Sequence, residues 1–211
     1  MNFHAFFLSI ACGEKMKHII SIIILSLVLF SCAKEESDDS ATTELEGTWV
    51  TSCNVYSDSL YRKLTTIVSG TNFTVNYEYF SDSSCTTAAS KWVDTQTSLS
   101  IGDAMVFSTY GASGGSGHQF TVYHNSTTAE WQNASDVSWA NTNSYCGETD
   151  WELNVAQDVS GKTCGSSTEW SSGITIYGLY ILNGNKFMPS YDEDSYPSSV
   201  NSADSNTFIK Q

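Results

Sequence analysis

Positive charge and proline are what this chain has least of. Its 211 residues hold nine Lys and Arg against 23 Asp and Glu, a formal net charge of −14. Such a surface repels phosphate backbones and excludes nucleic acid as a partner. It repels anionic lipid headgroups for the same reason. Only two prolines occur, and Ser, Thr, Asn and Gly abound. No Cys-x-x-Cys pair is present, which removes the commonest zinc spacing. A membrane-spanning helix needs ~20 apolar residues, and the run Ile19 to Phe30 has only twelve, ten of them apolar. No helical period longer than two turns is visible, so a helical bundle is not expected.

That twelve-residue run has the length of a signal-peptide core and follows a short basic segment, Met16-Lys17-His18. It stops at Leu29-Phe30-Ser31-Cys32 and gives way to the polar stretch Ala33-Lys34-Glu35-Glu36. Leu29, Ser31 and Cys32 resemble the lipobox of a bacterial lipoprotein. The resemblance implies that the Cys32 sulfur receives a diacylglycerol, that the peptide is cut just before it, and that the new N-terminus is acylated. Two or more acyl chains give stable membrane attachment, so the expected membrane partner is reached through lipid. Residues 1–15 are then a mis-called start, residues 16–31 the signal peptide, residues 32–44 the anchor and tether, and residues 45–211 the folded domain. A rival lipobox, Leu8-Ser9-Ile10-Ala11-Cys12, has its Leu one place too early. Ala33 rather than Asp follows the cysteine, so the familiar inner-membrane retention signal is missing. Cys32-Ala33-Lys34-Glu35-Glu36 also resembles the export signal of Bacteroidetes surface lipoproteins. In a Gram-negative host the expected location is the outer membrane, facing outward.

Counted from Cys32, 180 residues remain, with seven basic and 22 acidic side chains and all six tryptophans. That much aromatic content is foreign to disordered chains and predicts a packed core. Four cysteines follow: Cys53, Cys85, Cys146 and Cys164. An even count in an exported chain suggests two disulfides. Three pairings exist, and Cys53–Cys85 with Cys146–Cys164 is preferred because each joins chain neighbours.

The folded part reads with period two. Phe73 to Tyr79 alternates apolar and polar residues as a half-buried strand does. Trp151 to Val155 repeats the pattern, and His118 to His124 reads the same way. Leu60 to Val68, Leu99 to Phe107, Lys186 to Met188 and Thr207 to Lys210 are further strands. Ile174 to Leu182 is apolar on both faces, with Gly178 placed as a bulge or kink. Ser69-Gly70-Thr71-Asn72 and Asn183-Gly184 mark hairpins. Thr109 to Gly117 reads as a flexible loop, and residues 125–149 as an irregular, Trp-bearing insertion. About eight antiparallel strands leave an all-β barrel or a β-sandwich.

Leu45-Glu46-Gly47-Thr48-Trp49 opens the first strand, and Gly-x-Trp there resembles the lipocalin and wider calycin signature. Leu182 to Phe187 is similar to the tight turn into a late strand of bacterial lipocalin-like lipoproteins. The resemblance implies a closed barrel whose signature Trp49 plugs one end, with Lys210 stacked on it where the family usually has Arg. It favours the barrel and a small hydrophobic ligand held among same-face aromatics such as Phe73, Tyr77 and Trp151. The acidic exterior favours a neutral or cationic amphiphile over a fatty acid. The competing reading is a solid-cored interaction or structural module, whose protein partner the sequence does not name.

No catalytic residue, cofactor or metal site is expected. Gly111-Ala112-Ser113-Gly114-Gly115 has the spacing of a nucleophile elbow, but a Gly/Ser-rich loop surrounds it and no helix follows. His118 and His124 are ~20 Å apart along one strand, too far to share a metal, and read as surface or rim residues. Asp192-Glu193-Asp194 lacks the glycine and distal Glu of a calcium loop and reads as a solvated acidic turn.

Overall fold

A computed structural model describes residues 43–107, 115–200 and 203–211. The expectations for Cys32, the signal peptide, most of the tether and Ser113 lie outside the described residues. Among the described residues twelve strands form in chain order. They are β1 (Gly47–Val50), β2 (Asn54–Ser57), β3 (Leu60–Ser69), β4 (Asn72–Phe80), β5 (Ala88–Phe107) and β6 (Gly115–Trp131), then β7 (Gln157–Asp158), β8 (Thr163–Cys164), β9 (Ser167–Thr168), β10 (Thr175–Asn183), β11 (Lys186–Asp192) and β12 (Phe208–Lys210). Among the described residues one α-helix, α1 (Ala134–Thr142), follows β6.

The sheet closes on itself. Strands β3, β4, β5, β6, β10, β11 and β12 pair antiparallel in that order, and β1 pairs both β12 and β3 to complete an eight-stranded barrel. Closure leaves no edge along the ring. The sandwich alternative is thereby set aside. Strand β2 continues the line of β1 along β3 after a break at Thr51. There the Thr51 hydroxyl accepts from the Leu64 N–H at 2.9 Å, so the interrupted ladder is still satisfied.

Hairpin chemistry sets the register. Ser69 pairs Asn72 and Asn183 pairs Lys186, leaving two-residue loops in each case. Gly70 and Gly184 take φ of +58° and +62° at the first loop position. That is the glycine position of a type II′ turn, whose twist matches the flanking strands.

One end of the barrel is filled. Trp49, Phe73, Phe120, Tyr180, Phe187 and Phe208 all point inward and are buried. Phe73 stacks on Phe120 at 5.8 Å, and Trp49 meets Phe187 at 5.5 Å. The Trp49 indole N–H donates to the Leu45 carbonyl at 2.7 Å. Lys210 Nζ sits 5.1 Å from the centroid of the Trp49 ring. Gly178 is not a bulge, because β10 keeps continuous register with both neighbours. Its function is space: a Cβ there would lie 2.1 Å from the Phe120 ring. The outer face of β10 is apolar too, since Leu179 and Ile181 pack under Met188 and Val200.

Between β6 and β10 the chain leaves the ring and builds an appendage. Its core is Ala140, Cys146, Trp151, Val159 and Cys164, packed against Ala129 of β6. Asn133 caps α1 by accepting from the Asp136 N–H at 2.8 Å, the usual N-cap arrangement. Residues 125–149, read as irregular, instead complete β6 as far as Trp131 and form the nine-residue α1. Trp151 to Val155 is not a strand. Asn141 takes the backbone of Trp151 in both directions, accepting its N–H at 2.7 Å and donating to its carbonyl at 3.0 Å. Leu153 and Val155, which alternation would bury, are 46% and 43% exposed.

Cys53 and Cys85 stand at disulfide distance, as do Cys146 and Cys164. The first pair ties the β1–β2 break to the β4–β5 turn. The second closes the appendage on itself. Lys162 reinforces it, donating to the Glu148 carboxylate at 2.6 Å and the Asp158 carbonyl at 2.7 Å.

Candidate functional site

The inward rows that carry phenylalanine at one end carry other chemistry at the opposite end. On β4 the row Phe73, Val75 continues as Tyr77 and Tyr79. On β5 it runs Gln96, Asp94, Trp92, Ser90. Tyr77, Tyr79, Asp94, Trp92 and Ser90 line, with the appendage, a cavity of about 370 Å³ at the open end of the barrel. The strand wall is Tyr77, Tyr79, Trp92 and Trp131; the appendage wall is Tyr145, Cys164, Ser167, Glu169 and Trp170; Tyr56 and Leu60 form the β2–β3 rim. The rings brace one another edge to face. Tyr145 meets Trp131 at 5.5 Å and Trp92 at 6.4 Å, and Tyr56 meets Tyr79 at 5.0 Å. Such contacts add to burial and hold the wall in shape.

Asp94 and Thr127 form the polar floor, 6% and 2% exposed. The Thr127 hydroxyl donates to Asp94 Oδ1 at 2.7 Å. Behind it, fully buried, His124 places Nε2 3.0 Å from the Thr127 oxygen and Nδ1 3.0 Å from the Ser171 carbonyl. A carbonyl only accepts, so Nδ1 carries a hydrogen. The Thr127 proton is committed to Asp94, so its oxygen accepts from Nε2. Both ring nitrogens therefore donate, which is the imidazolium form. His124 Nε2 lies 3.9 Å from Asp94 Oδ1. Burial opposes the ring's charge, but Asp94, the Ser171 carbonyl and Asp158 outweigh it and raise the His124 pKa above 6.5.

The other titrating groups respond to the same floor. Burial first, then the Asp94 charge, raises the Glu169 pKa above 4.5. Burial and Asp94 also push the phenols of Tyr77 and Tyr191 well above 10, so both remain neutral donors. Burial and the neighbouring Tyr56 raise Tyr79 to about 12 against the opposing pull of Arg62. Arg62 does not line the cavity; its guanidinium lies 5.0 Å over the Tyr56 ring.

Of the three residues expected at a ligand, only Tyr77 lines the cavity. Phe73 is sealed in the filled end, and Trp151 lies in the appendage core, where it meets the cavity-wall Trp131 at 6.0 Å without lining the cavity itself. Trp92, Asp94, Trp131, Glu169 and Trp170 were missed. The alternation of β5 from Ala88 to Ser98 was invisible because Ser90, Asp94 and Gln96 occupy inward positions and blur the apolar period. His124 is not a rim residue but a buried one. His118 does lie near the surface, stacked on Tyr180 at 5.8 Å with Nδ1 3.1 Å from the Gly102 carbonyl. Asp192, Glu193 and Asp194 are exposed, and no cluster of three metal-ligating side chains occurs among the described residues.

No protein-family model matches the chain, and no curated protein matches it either. The reading of the site therefore rests on its own geometry.

Proposed function

We propose that the protein is a lipid-anchored, extracytoplasmic binder of a small amphiphilic molecule, held in the open end of a lipocalin-like barrel. The observation that carries this is the cavity of about 370 Å³, walled by aromatic rings and floored by a few convergent polar groups. Ligand sites are typically concave, mostly apolar and roughly 300–1,000 Å³ in volume, and this one falls at the lower end. The buried Trp131 indole N–H in its wall has no hydrogen-bond partner among the described residues. An unpaired buried donor is costly, and a ligand oxygen would relieve it. The two disulfide-distance pairs suit an oxidising compartment outside the cytoplasm. With the Ser31-Cys32 junction they support anchoring at the outer membrane through Cys32. Fatty-acid labelling of wild type and Cys32→Ala tests that anchor; equal label on both would refute it.

Binding, rather than catalysis, is the activity. Thr127, His124 and Asp94 are hydroxyl, imidazole and carboxylate in contact, but the order is wrong for a nucleophile. The hydroxyl gives its proton to the carboxylate and His124 has no free lone pair to act as base. The test is a titration with the neutral fluorophore N-phenyl-1-naphthylamine. Saturable binding in wild type, lost in Ser167→Trp without change in melting temperature, is expected. Absence of saturable binding in wild type would overturn the reading. A second reading, a protein-docking module, has one observation in its favour: Trp139, Leu153 and Val155 of the appendage are 51%, 46% and 43% exposed.

A further inference from the structure

We infer that the cavity selects an organic monocation, an ammonium head on a small apolar or aromatic body, with Glu169 and Asp94 as its counter-charges. This rests on the ligand-binding reading above and narrows it to one ligand class. Three features converge. First, the charge balance is uneven. Asp94 and Glu169 both line the cavity, whereas no Lys or Arg does. His124, as imidazolium behind Thr127, offsets one carboxylate, so one negative charge is left over in a half-buried space. An unpaired charge held out of water is unfavourable, and a single positive head neutralises it. Second, the partners are unequal. Asp94 already accepts from Thr127 and faces His124. Glu169, half-buried, forms no ion pair among the described residues; only its backbone N–H is engaged, donating to the Lys162 carbonyl at 3.0 Å. Its pKa is raised by burial and by Asp94, which together outweigh the opposing pull of His124. Third, the walls are aromatic. Trp92, Trp131, Trp170, Tyr79 and Tyr145 line the same cavity as the two carboxylates. A cation within ~6 Å of an aromatic face is attracted by the ring quadrupole, more strongly where water is excluded.

An anion would meet the excess negative charge, and a neutral body of the same shape would gain only the burial. The chemistry therefore ranks cation above neutral above anion. The full-length chain in non-ionic detergent is titrated with three probes of nearly one shape, followed by tryptophan fluorescence: benzyltrimethylammonium, its uncharged isostere neopentylbenzene, and phenylacetate. The cation is expected to bind at least tenfold tighter than the neutral isostere, with phenylacetate weakest. Glu169→Gln should weaken the cation about tenfold and leave the neutral probe unchanged. Asp94→Asn should do the same if it folds; Glu169, at the half-buried wall, keeps the test independent of that. Equal binding of cation and neutral isostere, or a Glu169→Gln effect common to both, would overturn the monocation and leave the binding cavity standing. Failure of all three probes to bind would remove the cavity reading and this inference with it.

Discussion

The two ends of the barrel obey the same alternation and reach opposite outcomes. Along β4 and β6, Phe73, Phe120 and Val122 turn inward at one end and fill it; Tyr77, Tyr79, Thr127 and Trp131 turn inward at the other and enclose space. The difference lies in what each row meets across the barrel. At the filled end the far wall is the ring itself, where Phe187 of β11, Phe208 of β12 and Trp49 of β1 join Phe120 and Phe73 in one buried cluster. At the open end the far wall is supplied by the appendage, whose Glu169 and Trp170 stand back from β4 and β5. A stable core needs apolar contact on every side. A site needs the same rigid frame with one wall set back.

The largest effect should come from breaking the filled end. Phe120→Ala removes a ring that contacts Phe73, Tyr180 and Tyr191. Emptying such a buried position costs about 3–5 kcal/mol, read as a lower midpoint in urea unfolding. Ser167→Trp at the open end should cost almost nothing by the same measurement. Comparable losses in both would show that the two ends share one packing unit.

The cysteine pairs sharpen the comparison next. In the loop-entropy model, closing 32 residues contributes about 4 kcal/mol and closing 18 about 3 kcal/mol. The two should differ more in function than in stability. Cys53→Ser with Cys85→Ser loosens the barrel frame and is expected to leave fluorophore binding intact once folded. Cys146→Ser with Cys164→Ser frees the appendage wall and is expected to abolish binding. Binding unchanged in the second variant would mean that the appendage does not form the site.

The same comparison explains what could be read from the residues alone. The barrel frame was legible: Phe73 to Tyr79 alternates cleanly from the filled end into the open one, Gly70 and Gly184 announce their turns, and Gly47-Thr48-Trp49 opens the ring. The site was mostly not. A cavity wall mixes aromatic, acidic and hydroxyl residues at inward positions, so Ser90-Lys91-Trp92-Val93-Asp94 lacks the apolar period that marks a strand. Trp151 to Val155 carries that period without the strand, because Asn141 holds the backbone of Trp151 and β6 offers it only a single bridge, Trp131 to Leu153. Glu169 and Trp170 reach the cavity through an excursion of about forty residues, whose path no local pattern encodes.

A smaller effect should appear with pH. His124 has its folded pKa raised above its ordinary 6.5. A group of that kind contributes stability that is fully present below its unfolded pKa and is lost as pH rises through the folded value. Stability from this residue should therefore be greatest below about pH 6.5 and decline above it. The fall should vanish in His124→Gln and shrink in Thr127→Val, which cuts the link to Asp94. Titration of the His124 ring protons by NMR gives the folded value directly. A midpoint below 6.5 would contradict the imidazolium assignment and the charge count built on it.

The smallest effect belongs to the closed end of the ring, where Lys210 lies over Trp49. The Lys210 stem also rests on the barrel opening: its Cε would lie 3.3 Å from a Cβ built on Gly47, which itself holds φ of +119°. Stem and charge can be separated. Lys210→Met keeps the apolar stem and removes the cation, and should cost about 0.5–1 kcal/mol, the usual gain of an exposed cation over an aromatic face. Lys210→Arg should be neutral or slightly stabilising, because a planar guanidinium stacks on an indole with less ordering than an ammonium on a flexible stem. Thermal melts of the three proteins at low and high salt decide it, since a cation–π term at an exposed site weakens less with salt than a pairing between free charges. If Lys210→Met melts with wild type at both salt concentrations, the charge contributes nothing. Trp49 would then be held by Leu45, Phe187 and its indole hydrogen bond alone.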